Sequence, residues 1–197
     1  MAYDEFFQPG LQLRSDRVIM RVLQPDDLES LWAISQEPAI WTWFNRHLFI
    51  RSELETWVAE ALLQQEQKIR CPFVVIDRLS DSIAGSTSLM SMSFPDRRIE
   101  IGSTWYGEDF RGTGINLHCK YLLLNYAFDT MDFERVEIKT DALNARSRAA
   151  ILKLGMTQEG ILRSHMQMPG NRRRDSVYYS LLKSEWPAAK ESLLNRL

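Results

Sequence analysis

The sequence predicts a mixed α/β fold of the α+β kind, and three observations carry that prediction. Strand-like and helix-like runs follow in the order β-α-α-β-β-β-α-β-α-β-β-α, which is not the regular alternation of a doubly wound sheet. Three strand-like runs follow one another across tight turns between Pro72 and Tyr106, as in an antiparallel meander. A largely apolar run, Ile115 to Met131, follows a pair of glycines and reads as a buried helix.

The elements can be justified in order. Arg17 to Leu23 is a short apolar strand. Pro25-Asp26-Asp27 opens a helix to about Ser35, because Pro is tolerated in a first turn and Asp is favourable there; Glu37-Pro38 ends it. Ser52-x-x-Glu55 has the form of a capping box. Behind it Leu54, Trp57, Val58, Ala61 and Leu62 recur at helical spacing to about Lys68. Pro72 to Asp77, Ile83 to Phe94 and Arg98 to Tyr106 are strands joined by turns at 79–82 and Pro95-Asp96. In the following helix Ile115, Cys119, Leu122 and Tyr126 form one stripe and Leu117, Tyr121, Leu124 and Phe128 another. Glu134 to Thr140 is a strand, and Ala145 to Leu154 a helix closed by Gly155. Thr157 to Met168 and Arg173 to Leu182 flank Pro169-Gly170-Asn171 as a hairpin, and Trp186 to Leu197 is a last helix.

Length and composition bound the function. The chain has 197 residues, enough for one domain with a sizeable core, taken as 1–197 with its core at about 15–185. With 24 basic and 26 acidic residues, charge gives no argument for obligate nucleic-acid binding. Cys71 and Cys119 stand in no ligand spacing and read as buried thiols, so no metal is expected. The first residues have no basic region followed by an apolar stretch, and no run reaches the length of a membrane span. A cytoplasmic protein without a membrane partner is the expectation.

The run Arg111-Gly112-Thr113-Gly114-Ile115-Asn116 lies between a strand and a helix. Glycines allow positive φ and close approach of a ligand. The first N–H groups of the helix point outward, and its dipole favours an anion. The run reads as a diphosphate cradle or as a plain tight turn. The Lys-Ser/Thr that completes a nucleotide P-loop is absent.

The element order with this glycine turn resembles the GNAT superfamily of N-acetyltransferases, whose motif is Arg/Gln-x-x-Gly-x-Gly/Ala. Arg111 and Gly114 match and Asn116 departs, though it keeps its backbone N–H. Glu100-Ile101-Gly102, Phe110 to Ile115, Arg135-Val136-Glu137-Ile138, Asn144-x-x-Ser147-Arg148-Ala149, Leu154-Gly155-Met156 and Glu159-Gly160-Ile161-Leu162-Arg163 follow in order. Together they resemble the ribosomal-protein N-acetyltransferases of the RimJ/RimL type, over roughly residues 15 to 185. The resemblance implies a mostly antiparallel seven-stranded sheet with helices on both faces. It also implies a splay between the fourth and fifth strands, Arg98 to Tyr106 and Glu134 to Thr140. Acetyl-CoA would be the cosubstrate, its diphosphate on residues 111–116. Its pantetheine would lie in the splay against backbone groups near Trp105 and Tyr106, with Asn144 holding it or the turn. Asn144 equally reads as a helix cap. By analogy with that branch a homodimer is expected.

The implied reaction is direct attack of an amine on a thioester, without metal. The thiolate leaves readily, since thiols have pKa near ~8.5. The Tyr that many members use as its proton donor is replaced by Ile151. Ser147 matches the Ser proposed for that role in the branch, or else satisfies a backbone N–H at the helix start. Glu100 is the candidate base, directly or through water; it also reads as a structural Glu paired with an Arg. The branch's other proposed base falls on Met166, which takes no proton, and alternation puts His165 on the opposite face. Trp41, Trp43 and His47 lie where the superfamily walls its acceptor site, and Tyr178 or Tyr179 lines it from the last strand. His118 reads as helix surface. Arg172-Arg173-Arg174 at the hairpin tip is either a solvated turn or a steering patch.

A magnitude favours an α-amine. An α-amino group has pKa ~7.7–8.0 and Lys ~10.4, so reaching the neutral amine at pH 7 costs about 1.3 against 4.6 kcal/mol. A site without an obvious strong base suits the former. Two alternatives remain: a small-molecule amine as acceptor, or a CoA-binding module that has lost catalysis, as Ile151 and Met166 suggest.

Overall fold

The protein is described by a computed structural model covering residues 2–8 and 10–197; Met1 and Pro9, inside the expected domain, lie outside the described residues. The elements run α1 (Ala2–Phe6), β1 (Gln12–Arg14), β2 (Val18–Val22), α2 (Leu28–Ile34), α3 (Arg51–Glu66), β3 (Arg70–Asp77), β4 (Ser82–Ser93) and β5 (Arg98–Tyr106). Then come α4 (Ile115–Asn125), β6 (Arg135–Asp141), α5 (Ala145–Leu152), β7 (Thr157–Gln167), β8 (Arg173–Leu182) and α6 (Trp186–Leu194). The fold is the mixed, mostly antiparallel α/β fold that the sequence predicts.

All these strands join one sheet in the order β1-β2-β3-β4-β5-β6-β8-β7. The sequence predicts seven strands; the eighth is β1, whose three residues pair with β2 at the edge and are too few to show alternation. The capping box expected at Ser52 and Glu55 does not form. α3 starts earlier, with Ile50 as its cap, because the Glu53 carboxylate takes the N–H of His47 and turns the chain before Ser52. Glu55 instead pairs with Arg51 at 2.8 Å. At α2 the start is firmer: Asp27 accepts from the Gln24 N–H at 2.8 Å and holds Arg21.

Alternation along the strands sends side chains to two cores. Phe73, Val75, Ile99, Ile101, Val136, Ile138, Val177 and Tyr179 pack under α4 and α6. On the other face Val74 and Trp105 pack under α2, α3 and the segment around Trp41 and Leu48. The sheet is therefore buried on both faces in its centre. Among the described residues no helix is long and apolar enough to cross a membrane.

One feature of the pairing positions the site. β5 and β6 are parallel, with α4 as the crossover between them, and they pair only at Arg98–Arg135, Ile99–Val136 and Glu100–Glu137. Beyond Glu100 the two strands separate. The residues of β5 from Gly102 to Tyr106 thus keep β4 on one side and no β6 partner on the other. Ser103 has φ +48°, and the β4–β5 register shifts opposite it, so a bulge turns β5 where the gap opens.

Candidate active site

The wedge between β5 and β6 opens toward the carboxyl ends of both strands, where crevices in α/β sheets bind ligands. Each strand leads to a helix. After β5 the chain makes a single 3-10 turn, Glu108–Phe110, and Thr113 Oγ1 bonds back to the Phe110 carbonyl at 2.8 Å. Gly112 and Gly114 have φ of +83° and +89°, which an L side chain adopts only with strain. A Cβ at either would meet nothing within 4 Å, so both face open space. Ile115 is buried and anchors α4, an eleven-residue helix, while its first N–H groups lie beyond the reach of any i−4 carbonyl. The loop is exposed, with Arg111 half-buried beside it. Tyr106 closes the near end: its hydroxyl reaches Asn116 Oδ1 at 3.4 Å, and burial raises its pKa well above the phenol value.

After β6, Asn144 Oδ1 accepts from the Ser147 N–H at 3.0 Å and caps α5. The Ser147 hydroxyl is half-buried and makes no hydrogen bond among the described residues; its N–H is capped, and it caps nothing itself. Ile151 is buried in the core under α5.

The other face of the wedge is polar and aromatic. Glu100 is 4% exposed. Its Oε2 accepts from Lys139 Nζ at 2.9 Å and from Ser91 Oγ at 3.4 Å. The partner is a lysine, where the sequence reading had an arginine. Oε1 makes no hydrogen bond among the described residues and lies 3.2 Å from where a Cβ on Gly102 would stand. That places a carboxylate oxygen over the first residue of the open part of β5. Lys139 sits 5.6 Å from the centre of the Tyr178 ring, and Tyr178 packs edge-on against His165. Tyr179 points the opposite way, fully buried, with its hydroxyl on Arg148 Nε at 3.1 Å.

His165 departs from the expectation. Strand alternation places it away from this face, but Ser164 has φ +52° and the β7–β8 register breaks between Leu162 and Met166. There three residues of β7, Arg163 to His165, stand against Asp175 alone, and in this bulge His165 turns onto Ser176 Oγ at 3.0 Å, beside Tyr178. Burial lowers its pKa, and the charges of Lys139 and Arg174 lower it further. Sequence reasoning also missed Lys139, a lysine between Ile138 and Thr140 whose alternation marks it for the polar face.

The segment before α3 forms the roof. Trp41 is 1% exposed, its indole N–H on the Ser35 carbonyl at 2.8 Å and its ring 4.9 Å from Trp105. It therefore supports the wall from behind. Trp43 is half-buried and holds the Arg172 guanidinium over its ring at 5.9 Å, joining the roof to the β7–β8 hairpin; Arg172 also binds buried Asp141 at 2.6 Å. His47 stacks on Phe49 at the roof's far end. His118, expected on the helix surface, is half-buried on α4, and its buried Nδ1 has no partner among the described residues.

Comparison with known proteins agrees with this geometry. Residues 17–157 match the acetyltransferase (GNAT) domain. A protein of Bacillus subtilis (strain 168) named "Putative ribosomal N-acetyltransferase YdaF" is 29% identical over 183 residues, covering 89% of this chain and 97% of that one. The crystal structure of a GCN5-related N-acetyltransferase from Brucella melitensis superimposes with a TM-score of 0.87 and 29% identity, covering 96% of this chain and 86% of that one.

Proposed function

The chain belongs to the GNAT acetyltransferase family, an N-acetyltransferase, and from that premise we propose that it moves the acetyl group of acetyl-CoA to an α-amine, foremost a protein or peptide N-terminus. One observation carries the reading. The open edge of β5 runs from a carboxylate oxygen, Glu100 Oε1 over Gly102, to a helix start stripped of Cβ atoms at Gly112 and Gly114. A donor with an anionic end and an extended amide-bearing arm fits such an edge, and acetyl-CoA brings the thioester to its inner end.

The roles then follow. The N–H groups of 112–116 hold the diphosphate, with Arg111 alongside. The open edge at Trp105 and Tyr106 offers backbone bonds to the arm. Glu100, held by Lys139 through Oε2 with Oε1 free, takes the proton from the acceptor amine. The Ser147 hydroxyl, unbonded and at the start of α5, donates a proton toward the leaving sulfur. Trp43, His47 and Tyr178 border the acceptor.

The name of the relative YdaF supports a ribosomal protein as acceptor. The test is thiol release from acetyl-CoA with peptides whose N-terminus is free or blocked. Turnover is expected with the free terminus only; equal turnover of a blocked, lysine-containing peptide would sink the reading.

A further inference from the structure

No step of the proposed reaction uses His165, yet the fold fixes its ring from two sides. Nδ1 lies 3.0 Å from Ser176 Oγ, and the ring packs edge-on against Tyr178 with centres 5.8 Å apart. Ser176 and Tyr178 alternate along β8 with Val177 and Tyr179, which point into the core under α4 and α6. His165 therefore stands on the face of the sheet that carries Glu100 and Lys139. The row between them is continuous. Glu100 Oε2 is 2.9 Å from Lys139 Nζ, Lys139 Nζ is 5.6 Å from the centre of the Tyr178 ring, and that ring touches His165. An extended peptide covers such a row in about four residues, at ~3.4 Å each.

The hydrogen-bond partners fix where the protons lie. Ser176 is fully buried. Its Oγ accepts from Arg174 Nε at 3.0 Å, and an arginine has no lone pair to offer in return. Among the described residues the only group left to accept the hydroxyl hydrogen is His165 Nδ1. A buried hydroxyl without an acceptor is costly, so the hydrogen goes there. A ring that accepts at Nδ1 is neutral when its one hydrogen is on Nε2. Burial and the charges of Lys139 and Arg174 lower the pKa of His165, which favours the same neutral ring. Nε2 makes no hydrogen bond among the described residues; His165 is only half-buried, and Nε2 is not an enclosed atom. An N–H is thus offered along the acceptor face, at a fixed remove from Glu100.

We propose that the Nε2–H of His165 binds a backbone carbonyl of the acceptor peptide, a few residues past its reacting amine. The inference rests on the peptide N-terminus reading above and deepens it. His165 is a binding residue that rewards the length of the acceptor. Every peptide unit presents a carbonyl whatever its side chain, so the contact selects peptides over small amines and not one sequence over another. A nitrogen that carries a hydrogen has no lone pair for a second proton, so the base remains Glu100.

The test is steady-state kinetics with free-N-terminus acceptors of one sequence, lengthened from an amino-acid amide to a pentapeptide, at saturating acetyl-CoA. In wild type kcat/KM rises at one step of the series by about five- to tenfold, the worth of one hydrogen bond, and the gain lies in KM. His165→Phe keeps a ring beside Tyr178 and removes the step. His165→Gln, whose amide nitrogen reaches the place of Nε2, restores it. In both variants KM for acetyl-CoA and kcat on the amino-acid amide are unchanged, and melting curves report whether each is folded. Nitrogen-15 NMR of the histidine-labelled wild-type protein needs no variant. At neutral pH the ring of His165 carries its hydrogen on Nε2 and a lone pair on Nδ1, and the Nε2 signal shifts when the pentapeptide binds. A hydrogen on Nδ1 overturns the inference, as does a step that survives His165→Phe. A fall in kcat with KM unmoved in His165→Phe makes the residue part of the proton path and overturns it too. Peptides turned over without any step defeat this inference alone. Turnover of small amines and of no peptide defeats the peptide reading with it.

Discussion

Glu100 and Lys120 are both buried ions, and they make opposite predictions. Glu100 has Lys139 at 2.9 Å and a second oxygen turned to the wedge, so its charge is matched and its chemistry is available. Glu100→Gln keeps the shape and removes the base; kcat should fall by about 100-fold with KM for acetyl-CoA unchanged, read by steady-state kinetics. Ser147 and Asn144 separate in the same way. Ser147→Ala should lower kcat about tenfold and leave the melting curve in place. Asn144→Ala should cost about 1 kcal/mol of stability by uncapping α5. Lys120 is 6% exposed, and its Nζ donates to Thr104 Oγ1 at 2.7 Å, with no ion-pair partner among the described residues. Burial takes it from its ordinary 10.5 to about 8. Between these values the unfolded chain binds more protons than the folded one, so stability rises with pH from about 8 to 10.5 and the full cost stands below 8. That cost is roughly 3 kcal/mol. Allowing about 1 kcal/mol for the lost hydrogen bond, Lys120→Met should be about 2 kcal/mol more stable at pH 7, the difference vanishing at pH ~10 and reversing above it. The buried Cys119 thiol, pushed up to about 12, works in the opposite direction, so the variant-minus-wild-type difference is the quantity to follow by denaturant melts.

At the scale of elements, the glycine loop was the most legible feature and the bulges the least. Two glycines between a strand run and an apolar helix run need nothing distant to be recognised, and both adopt the positive φ that the spacing implies. Gly114→Ala should cost about 1 kcal/mol, a backbone effect since no atom lies within 4 Å. The methyl would also stand where a diphosphate must approach. KM for acetyl-CoA should therefore rise about tenfold, more than the loss of stability explains, with KM for the amine unmoved. The polar face was legible only in part. Glu100 follows from strand alternation, and so, in hindsight, does Lys139; for the last strand alternation left Tyr178 and Tyr179 as alternatives, and the burial of Tyr179 decides between them. His165 does not, because the bulge at Ser164 depends on how β7 pairs with β8, which no local residue pattern announces. Arg70 opens a strand whose next residues are all apolar, so its neighbours gave no sign that its guanidinium turns back onto Ser88. Trp41 was expected as a wall and stands one layer behind it, since an aromatic run shows which residues are apolar but not their depth.

The whole molecule is a sheet packed on both faces that lacks pairing at one place inside it. β5 beyond Glu100 and β6 beyond Glu137 keep one neighbour each, β4 and β8, and separate from one another. An open edge within a sheet is where a ligand can act as a strand, and that makes binding a whole-molecule event. A ligand that binds only the folded chain stabilises it by about 2.7 kcal/mol at a hundredfold excess over Kd. For a chain of this size that is roughly 5–11 °C in Tm. Acetyl-CoA should therefore raise the melting temperature by that amount. Amide hydrogen exchange should locate the reason. Slowing is expected in Gly102 to Tyr106, in Ile138 to Asp141 and in the loop 112–116, with the edge strands β1 and β7 unchanged. A Tm shift with protection spread evenly over the sheet would mean general tightening, and the wedge would not be the donor site. Protection confined to the loop would place the diphosphate there and leave the arm outside the sheet.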